Sequence, residues 1–194
     1  MSYDGWIVVG LGNPGPDYEA TRHNVGFLVA DELASRMSGS WRAHKSGHAL
    51  TVEGRLTGAP GVRAVVGRGR SFMNASGGPV VGLLAYYQAG VDRLIVIHDE
   101  LDIPYGDLRV KYGGGDNGHN GLKSIRKSSG TGDYYRVRVG IGRPHGRQDT
   151  ADFVLKPFSS VEKRELELHV GRAADAVESL MTDGLEQTQN RFNR

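Results

Sequence analysis

The apolar run Trp6 to Val9 stops in Gly10-Leu11-Gly12-Asn13-Pro14-Gly15, and apolar residues resume at helical spacing only from Val25. No other stretch narrows the possible folds as much. A buried strand that hands over to an amphipathic helix through glycines and prolines opens a layered α/β structure. Gly10-x-Gly12-x-x-Gly15 also spells the dinucleotide-binding fingerprint. In that fold the helix starts inside the motif, so its free N–H groups meet a pyrophosphate. Here Pro14 and Pro16 interrupt the region, and helical periodicity begins near Asn24. The acidic residues at the ribose-binding distance, Asp31 and Glu32, fall inside the helix pattern. A nicotinamide or flavin role is therefore disfavoured. What remains is Thr21-Arg22-His23-Asn24, a turn that delivers a histidine to the start of a helix. Such a turn can hold a general base at a sheet edge.

Strands and helices alternate along the rest of the chain. Val25, Leu28, Val29, Leu33 and Met37 recur at steps of three and four, which predicts a helix ended by Ser38-Gly39-Ser40. Trp41 to His48 is basic and has no clear period. Leu50–Glu53 and Val62–Val66 read as strands joined at Gly58-Ala59-Pro60-Gly61. Ser76 is the expected cap of a second helix, with Pro79 in its first turn, Val80, Leu83, Leu84 and Tyr87 on its apolar face, and Gly90 as its stop. Leu94–Ile97 is a continuous apolar run, as in a central strand buried on both faces. Leu108–Tyr112 alternates apolar and basic residues, and Tyr135–Ile141 alternates again, with Arg136 and Arg138 on one face. Whether this last strand pairs parallel or antiparallel stays open. A glycine-rich loop, Gly113 to Gly121, leads to a helix beginning near Asn120. Ser159-x-x-Glu162 is a capping box and is expected to open one long C-terminal helix through Leu166, Val170, Ala173, Val177 and Leu180. The whole reads as a single α/β domain, residues 1–194, with a mixed sheet.

The chain has 194 residues, 38% of them hydrophobic, which suits one well-buried core. It has no cysteine, so disulfides, thiolate zinc sites and a cysteine nucleophile are excluded. The start shows no secretory leader pattern, and no apolar run approaches the ~20 residues of a membrane span. The net charge is only +2, but it is unevenly spread. Arg109 to Arg147 holds nine basic and two acidic residues; Asp149 to Glu186 holds nine acidic and four basic. That asymmetry suggests one face for a polyanion and another turned from it, beside the plain alternative of solvated surface.

Asn13, His23, Asn74, Asp99 and Asn120 each stand where the chain changes element, the edge at which open α/β sheets bind ligands. Singly, such an asparagine is explained by turn geometry. Together with one histidine and one aspartate they support water activation: the carboxylate orients the imidazole, and amides grip a peptide-like backbone or an oxyanion. No G-x-S-x-G elbow is present, which argues against a serine hydrolase. His98-Asp99-Glu100-x-Asp102 resembles a hard metal site, but a strand would point Asp99 away from His98 and Glu100, and no metal is expected. Lys111, the helix start at His119-Asn120-Gly121, and Arg136 with Arg138 offer anion contacts. An aromatic platform for single-stranded RNA is missing, so recognition would be of phosphate and shape.

These residues resemble bacterial peptidyl-tRNA hydrolases. The likeness is carried by Gly10-Leu-Gly-Asn-Pro-Gly with Tyr18, by Thr21-Arg-His-Asn-Val-Gly-Phe27, by Phe72-Met-Asn-Ala-Ser-Gly77, by His98-Asp-Glu-Leu-Asp102, by Gly118-His-Asn-Gly121 and by Arg138-Val-Gly-Ile-Gly-Arg-Pro144. The resemblance implies an α/β domain with a twisted mixed sheet surrounded by helices. It implies hydrolysis of the ester between a peptide and the tRNA 3′ end, without metal or cofactor, by a monomer; a cytoplasmic location is expected. It makes His23 the general base and Asp99 its orienting partner. Asn13, Asn74 and Asn120 would bind the peptide and terminal nucleotide, with Asn74 also supporting the attacking water. Tyr18 and Met73 would line the cleft, and Lys111 and Arg138 would clamp the tRNA 5′ phosphate. Which of Arg136 and Arg138 faces the RNA depends on strand register. Peptidyl-tRNA is thus the expected partner, with no membrane. The alternative is a non-catalytic relative that serves RNA splicing by binding a partner protein.

Two places depart from the family's pattern. Arg68-Gly69 stands where it has Lys-Pro, which would loosen the loop presenting Asn74. Asp116-Asn117 stands where it often has His-Gly, and Asp116 would either weaken a nearby phosphate site or substitute locally as a hydrogen-bond acceptor.

Overall fold

The computed structural model describes residues 3–58 and 60–193. The strands are β1 (Trp6–Gly10), β2 (Arg42–Ala43), β3 (Ala49–Leu56), β4 (Val62–Gly69), β5 (Leu94–Glu100), β6 (Leu108–Tyr112) and β7 (Tyr135–Gly140). The helices are α1 (Val25–Arg36), α2 (Gly77–Tyr87), α3 (Asn120–Ser129), α4 (Thr150–Val154), α5 (Ser160–Lys163) and α6 (Leu166–Phe192). The strands form one seven-stranded mixed sheet in the order β2-β3-β4-β1-β5-β7-β6. β1 pairs parallel with β4 and β5, and β5 pairs parallel with β7. The edges are antiparallel: β2 with β3, β3 with β4, and β6 with β7. The open question about the Tyr135 strand is thus answered both ways, one neighbour of each kind. The C-terminal ends of β1, β4, β5 and β7 lie along one edge of the sheet.

Side-chain alternation divides the core in two. Trp6, Val8, Ile95, Ile97, Val137 and Val139 pack with α1 and α6. Ile7, Val9, Leu94 and Val96 pack with Val80, Leu83, Leu122 and Ile125 from α2 and α3. β5 is buried along its whole length, as its unbroken apolar run requires. The glycines of the opening motif serve packing. A Cβ on Gly10 would lie 2.1 Å from the carbonyl oxygen of Gly26, and one on Gly26 would lie 2.5 Å from that of Ile97. α1 therefore sits closer to β1 and β5 than any side chain would allow.

Three helix ends differ from the sequence reading, two of them because a distant group intervenes. Ser76 does not cap α2. Its backbone is already helical, and its hydroxyl donates back to the Met73 carbonyl at 2.6 Å, while Ser124 Oγ accepts the Gly77 N–H at 2.9 Å. α2 stops before Gly90, at Gln88, which takes the left-handed conformation at φ 54°. The Ser159–Glu162 capping box is present, but it opens only the four-residue α5. Tyr105 donates its hydroxyl to the Glu162 carbonyl, the group that the Leu166 N–H would need for one continuous helix. α6 starts afresh at Leu166 and kinks at Gly184, φ 82°. No helix among the described residues is long and apolar enough to cross a membrane.

Candidate active site

A short 3₁₀ turn, Arg22–Asn24, lies between the opening motif and α1 and presents His23 at the end of β5. His23 Nδ1 lies 2.8 Å from Asp99 Oδ2, and Asp99 is 3% exposed. The second oxygen of the same carboxylate, Oδ1, lies 2.8 Å from His119 Nε2. His119 Nδ1 accepts the N–H groups of Gly121 and Leu122 at 3.1 and 3.4 Å, capping α3. That nitrogen therefore carries no hydrogen, and the ring hydrogen sits on Nε2 and is donated to Asp99. His23 donates its Nδ1–H to the other oxygen, which leaves its Nε2 as a free acceptor.

The electrostatics follow. Burial would lower the His23 pKa, but the charge of Asp99 and its hydrogen bond outweigh that, and the net shift is upward. Burial would raise the Asp99 pKa, but His23 and His119 hold it well below the usual carboxylate range. His98 is different. Burial, then neighbouring His119, pushes it down to about 3, and its Nδ1–H donates to the Asp99 carbonyl at 2.8 Å.

Asn13 is held by Asn24, whose Oδ1 accepts the Asn13 N–H at 2.8 Å and whose amide donates to the Asn13 carbonyl at 2.9 Å. Asn13 Oδ1 in turn accepts the Met73 N–H at 2.7 Å. This bond ties the segment carrying Asn74 to the opening motif. The segment gains further ties from Arg70, whose N–H donates to the His48 carbonyl, and from Arg68, which pairs with Asp31 at 2.8 Å and stacks over Phe27 and Trp41. Arg68 thus has an anchoring role in place of the proline expected beside it.

These groups open into a cleft of about 460 Å³. Asn13, His23, Met73, Asn74, Asp99 and Asn120 all line it, although they come from five separate stretches of chain. Among the described residues the side-chain amides of Asn74 and Asn120 make no hydrogen bond to protein, and both residues are exposed. Phe72, Leu101, Val154 and Leu155 add apolar surface. Tyr18 does not line the cleft. It packs edge-on against Phe72, ring centroids 6.1 Å apart, and so stands behind the rim. Lys111 and Arg138 also lie outside the cleft. They project from the α2/α3 face of β6 and β7, opposite the acidic α6. Arg138 pairs with Glu100 at 2.6 Å. Arg136 is fully buried and gives its guanidinium to the carbonyls of Gly114 and Gly132 at 2.8 and 2.9 Å, so of the two arginines only Arg138 remains at the surface. Burial, then Arg138 and Arg136, lower the Lys111 pKa. Asp116 turns its carboxylate back onto its own loop, accepting the Gly118 N–H at 3.0 Å.

The sequence marks His119 only as a helix start, and Asn24 only as part of a motif. The structure gives both direct contact with the proposed set. A histidine at the cap position of a helix was the available signal, because a cap accepts through one ring nitrogen and frees the other. His23, Asp99 and His119 have ligand-type atoms within 4.8 Å of one another, the one such trio among the described residues. Holding a metal would require His119 to give up either its bond to Asp99 or its cap on α3, so the donor set fits hydrogen bonding better than coordination.

The same chain matches the family model described as peptidyl-tRNA hydrolase over residues 7–194. A peptidyl-tRNA hydrolase of Kineococcus radiotolerans is 59% identical, covering 98% of each chain. One of Rhodococcus erythropolis is 56% identical over the full length of both. The crystal structure of peptidyl-tRNA hydrolase from Acinetobacter baumannii superposes with a TM-score of 0.88 at 31% identity, covering 98% of this chain and 95% of that one. Matched over nearly all of its length by the family model and by full-length relatives, this chain belongs to the peptidyl-tRNA hydrolase family.

Proposed function

We infer that the chain hydrolyses the ester joining a peptide to the 3′ end of its tRNA, with His23 as general base. The observation that carries this reading is the His23 imidazole, held by Asp99 through Nδ1 with Nε2 left as an acceptor, in a cleft also lined by Asn13, Asn74 and Asn120. A water between Nε2 and the ester carbonyl gives its proton to His23 as its oxygen bonds to the carbonyl carbon. Asp99, 2.8 Å from the ring, stabilises the imidazolium. Asn13 already uses its oxygen on Met73, so its amide N–H groups are what it offers to the substrate or to the developing oxyanion. Asn74 and Asn120 have both amide ends free for the peptide and the terminal nucleotide. As the intermediate collapses, the imidazolium proton passes to the departing ribose oxygen. The new carboxylic acid gives its remaining proton to solvent, so the products are a peptide carboxylate, a tRNA with a free 3′ end and one released proton, and His23 is again neutral.

The 5′-phosphate clamp is assigned to Lys111 and Arg138. Both lie outside the cleft, which suits a substrate whose unpaired 3′ tail carries the ester a few nucleotides beyond the 5′ phosphate, and Lys111 has no carboxylate within ion-pair distance among the described residues. Hydrolysis of N-acetyl-aminoacyl-tRNA tests the reading. His23→Ala should lose roughly 10²–10⁴ of turnover while still binding tRNA. Full activity in that variant refutes the role of His23, and an inactive parent refutes the function.

A further inference from the structure

Arg22 stands one residue before the proposed base, yet its side chain runs away from the cleft. It is 9% exposed, and Nη2 donates to Glu162 Oε1 at 2.7 Å. Nη1 donates to the carbonyl of Phe153 at 3.3 Å, and its second contact, to that of Lys156, is 3.5 Å. The guanidinium carbon lies 4.1 Å from the centre of the Phe153 ring. The backbone repeats the connection: the Arg22 N–H donates to the Lys156 carbonyl at 3.0 Å, and Thr21 bridges to Pro157. Every one of these partners lies within residues 153–162.

That segment includes the end of α4. Thr150, Ala151 and Val154 of α4, with Leu155 after it, form one wall of the cleft. α4 has five residues and none is fully buried; only Phe153 and Val154 touch the core, both half-buried, so little apolar surface holds it there. A helix this short does not hold itself in water either. Phe158 anchors the chain beyond the wall, and the Arg22 cluster adds polar and stacking attachments between that anchor and α4.

We propose that Arg22 is a positioning residue that straps the α4 wall to the turn carrying the base, so that substrate binding depends on it and proton transfer does not. The inference rests on the function above. Arg22 reaches neither the cleft nor the His23 ring, and it makes no contact with Asp99. Its loss should therefore change the shape of the cleft rather than the chemistry.

The test measures kcat, KM and the pH profile on N-acetyl-aminoacyl-tRNA, together with Tm. Arg22→Met should raise KM about tenfold with kcat within about threefold and the acid limb of the profile unmoved, the pattern of lost uniform binding. Glu162→Gln keeps its bond to the Ser159 N–H and removes only the charge that Arg22 meets, so it probes the same strap should Arg22→Met fail to fold. It should raise KM by a smaller factor. Arg22→Lys keeps the cation but not the forked contacts or the stacking, and should recover part of the KM. KM unchanged in folded Glu162→Gln and Arg22→Lys overturns the proposal. So does a fall in kcat that tracks a shifted acid limb. A parent that leaves the ester intact refutes the function itself, an outcome distinct from an active parent with indifferent variants.

Discussion

Replacing Asp99 by asparagine changes almost no volume and removes the one charge that both histidines share. Two losses follow from the geometry. As His23 takes a proton, an imidazolium forms with Nδ1 2.8 Å from Asp99 Oδ2. Charge centres about 4 Å apart at an effective dielectric of about 20 attract by about 4 kcal/mol, which is roughly a thousandfold in rate. The second loss is tautomeric. His119 must keep its hydrogen on Nε2, because Nδ1 is occupied by two backbone N–H groups. The asparagine oxygen is therefore claimed by His119, and its NH₂ faces His23 Nδ1. His23 then accepts through Nδ1 and carries its hydrogen on Nε2, where the base should be. Asp99→Asn should accordingly lose at least roughly 10³ in kcat. The assay is turnover of N-acetyl-aminoacyl-tRNA followed across the histidine range, compared on the alkaline plateau, with Tm as a control for folding. Asp99 holds the His23 pKa up, so the acid limb of residual activity should move to lower pH in the variant. A plateau loss below about tenfold, or an acid limb that stays in place, refutes the reasoning.

Other expectations are more local. Gly26→Ala gains roughly 1 kcal/mol in helix propensity, but its Cβ would meet the Ile97 and Leu11 carbonyl oxygens at 2.5 and 2.6 Å. Backbone on two sides leaves only a shift of α1, so a net loss of about 1–3 kcal/mol, or roughly 2–4 °C in Tm for each, should appear in thermal unfolding together with reduced turnover. An unchanged Tm would mean that α1 does not approach so closely. Lys111→Ala should weaken preference for tRNA bearing a 5′ phosphate by about tenfold or more, the worth of one charged hydrogen bond. Equal rates of the parent on phosphorylated and dephosphorylated tRNA would remove the clamp. A chelator should leave activity intact; loss that a divalent cation restores would reassign His23, Asp99 and His119 to a metal.

The local elements were legible because their causes are local. α1 shows its apolar stripe in the spacing of Val25, Val29 and Leu33, and β5 shows its burial in an unbroken apolar run. Pro14, Pro16 and the late helix start were enough to separate the Gly10–Gly15 turn from a nucleotide cradle, and the fold then explained those glycines by the close approach of α1. The misread helix ends have a common origin. Ser76, Gly90 and the Ser159 box were judged by their neighbours in sequence. Ser124 and Tyr105, 48 and 57 residues from Ser76 and Glu162, supplied or removed the decisive hydrogen bonds at two of those three ends.

By itself, the sequence determined the α/β class, the runs that become the buried strands, the gathering of polar residues at strand ends, and the motifs of the family. Tertiary structure decided which of those residues meet. Asp99 takes one histidine from 76 residues before it and another from 20 residues after it, one on each oxygen. Tyr18 was left behind the rim, Arg136 was buried against the carbonyls of Gly114 and Gly132, and Arg138 was kept at the surface. The division has a physical reason. Periodicity, turns and caps arise from forces between near neighbours in the chain. The partner of a carboxylate is set by how strands and helices pack, and spacing along the chain carries no measure of that distance.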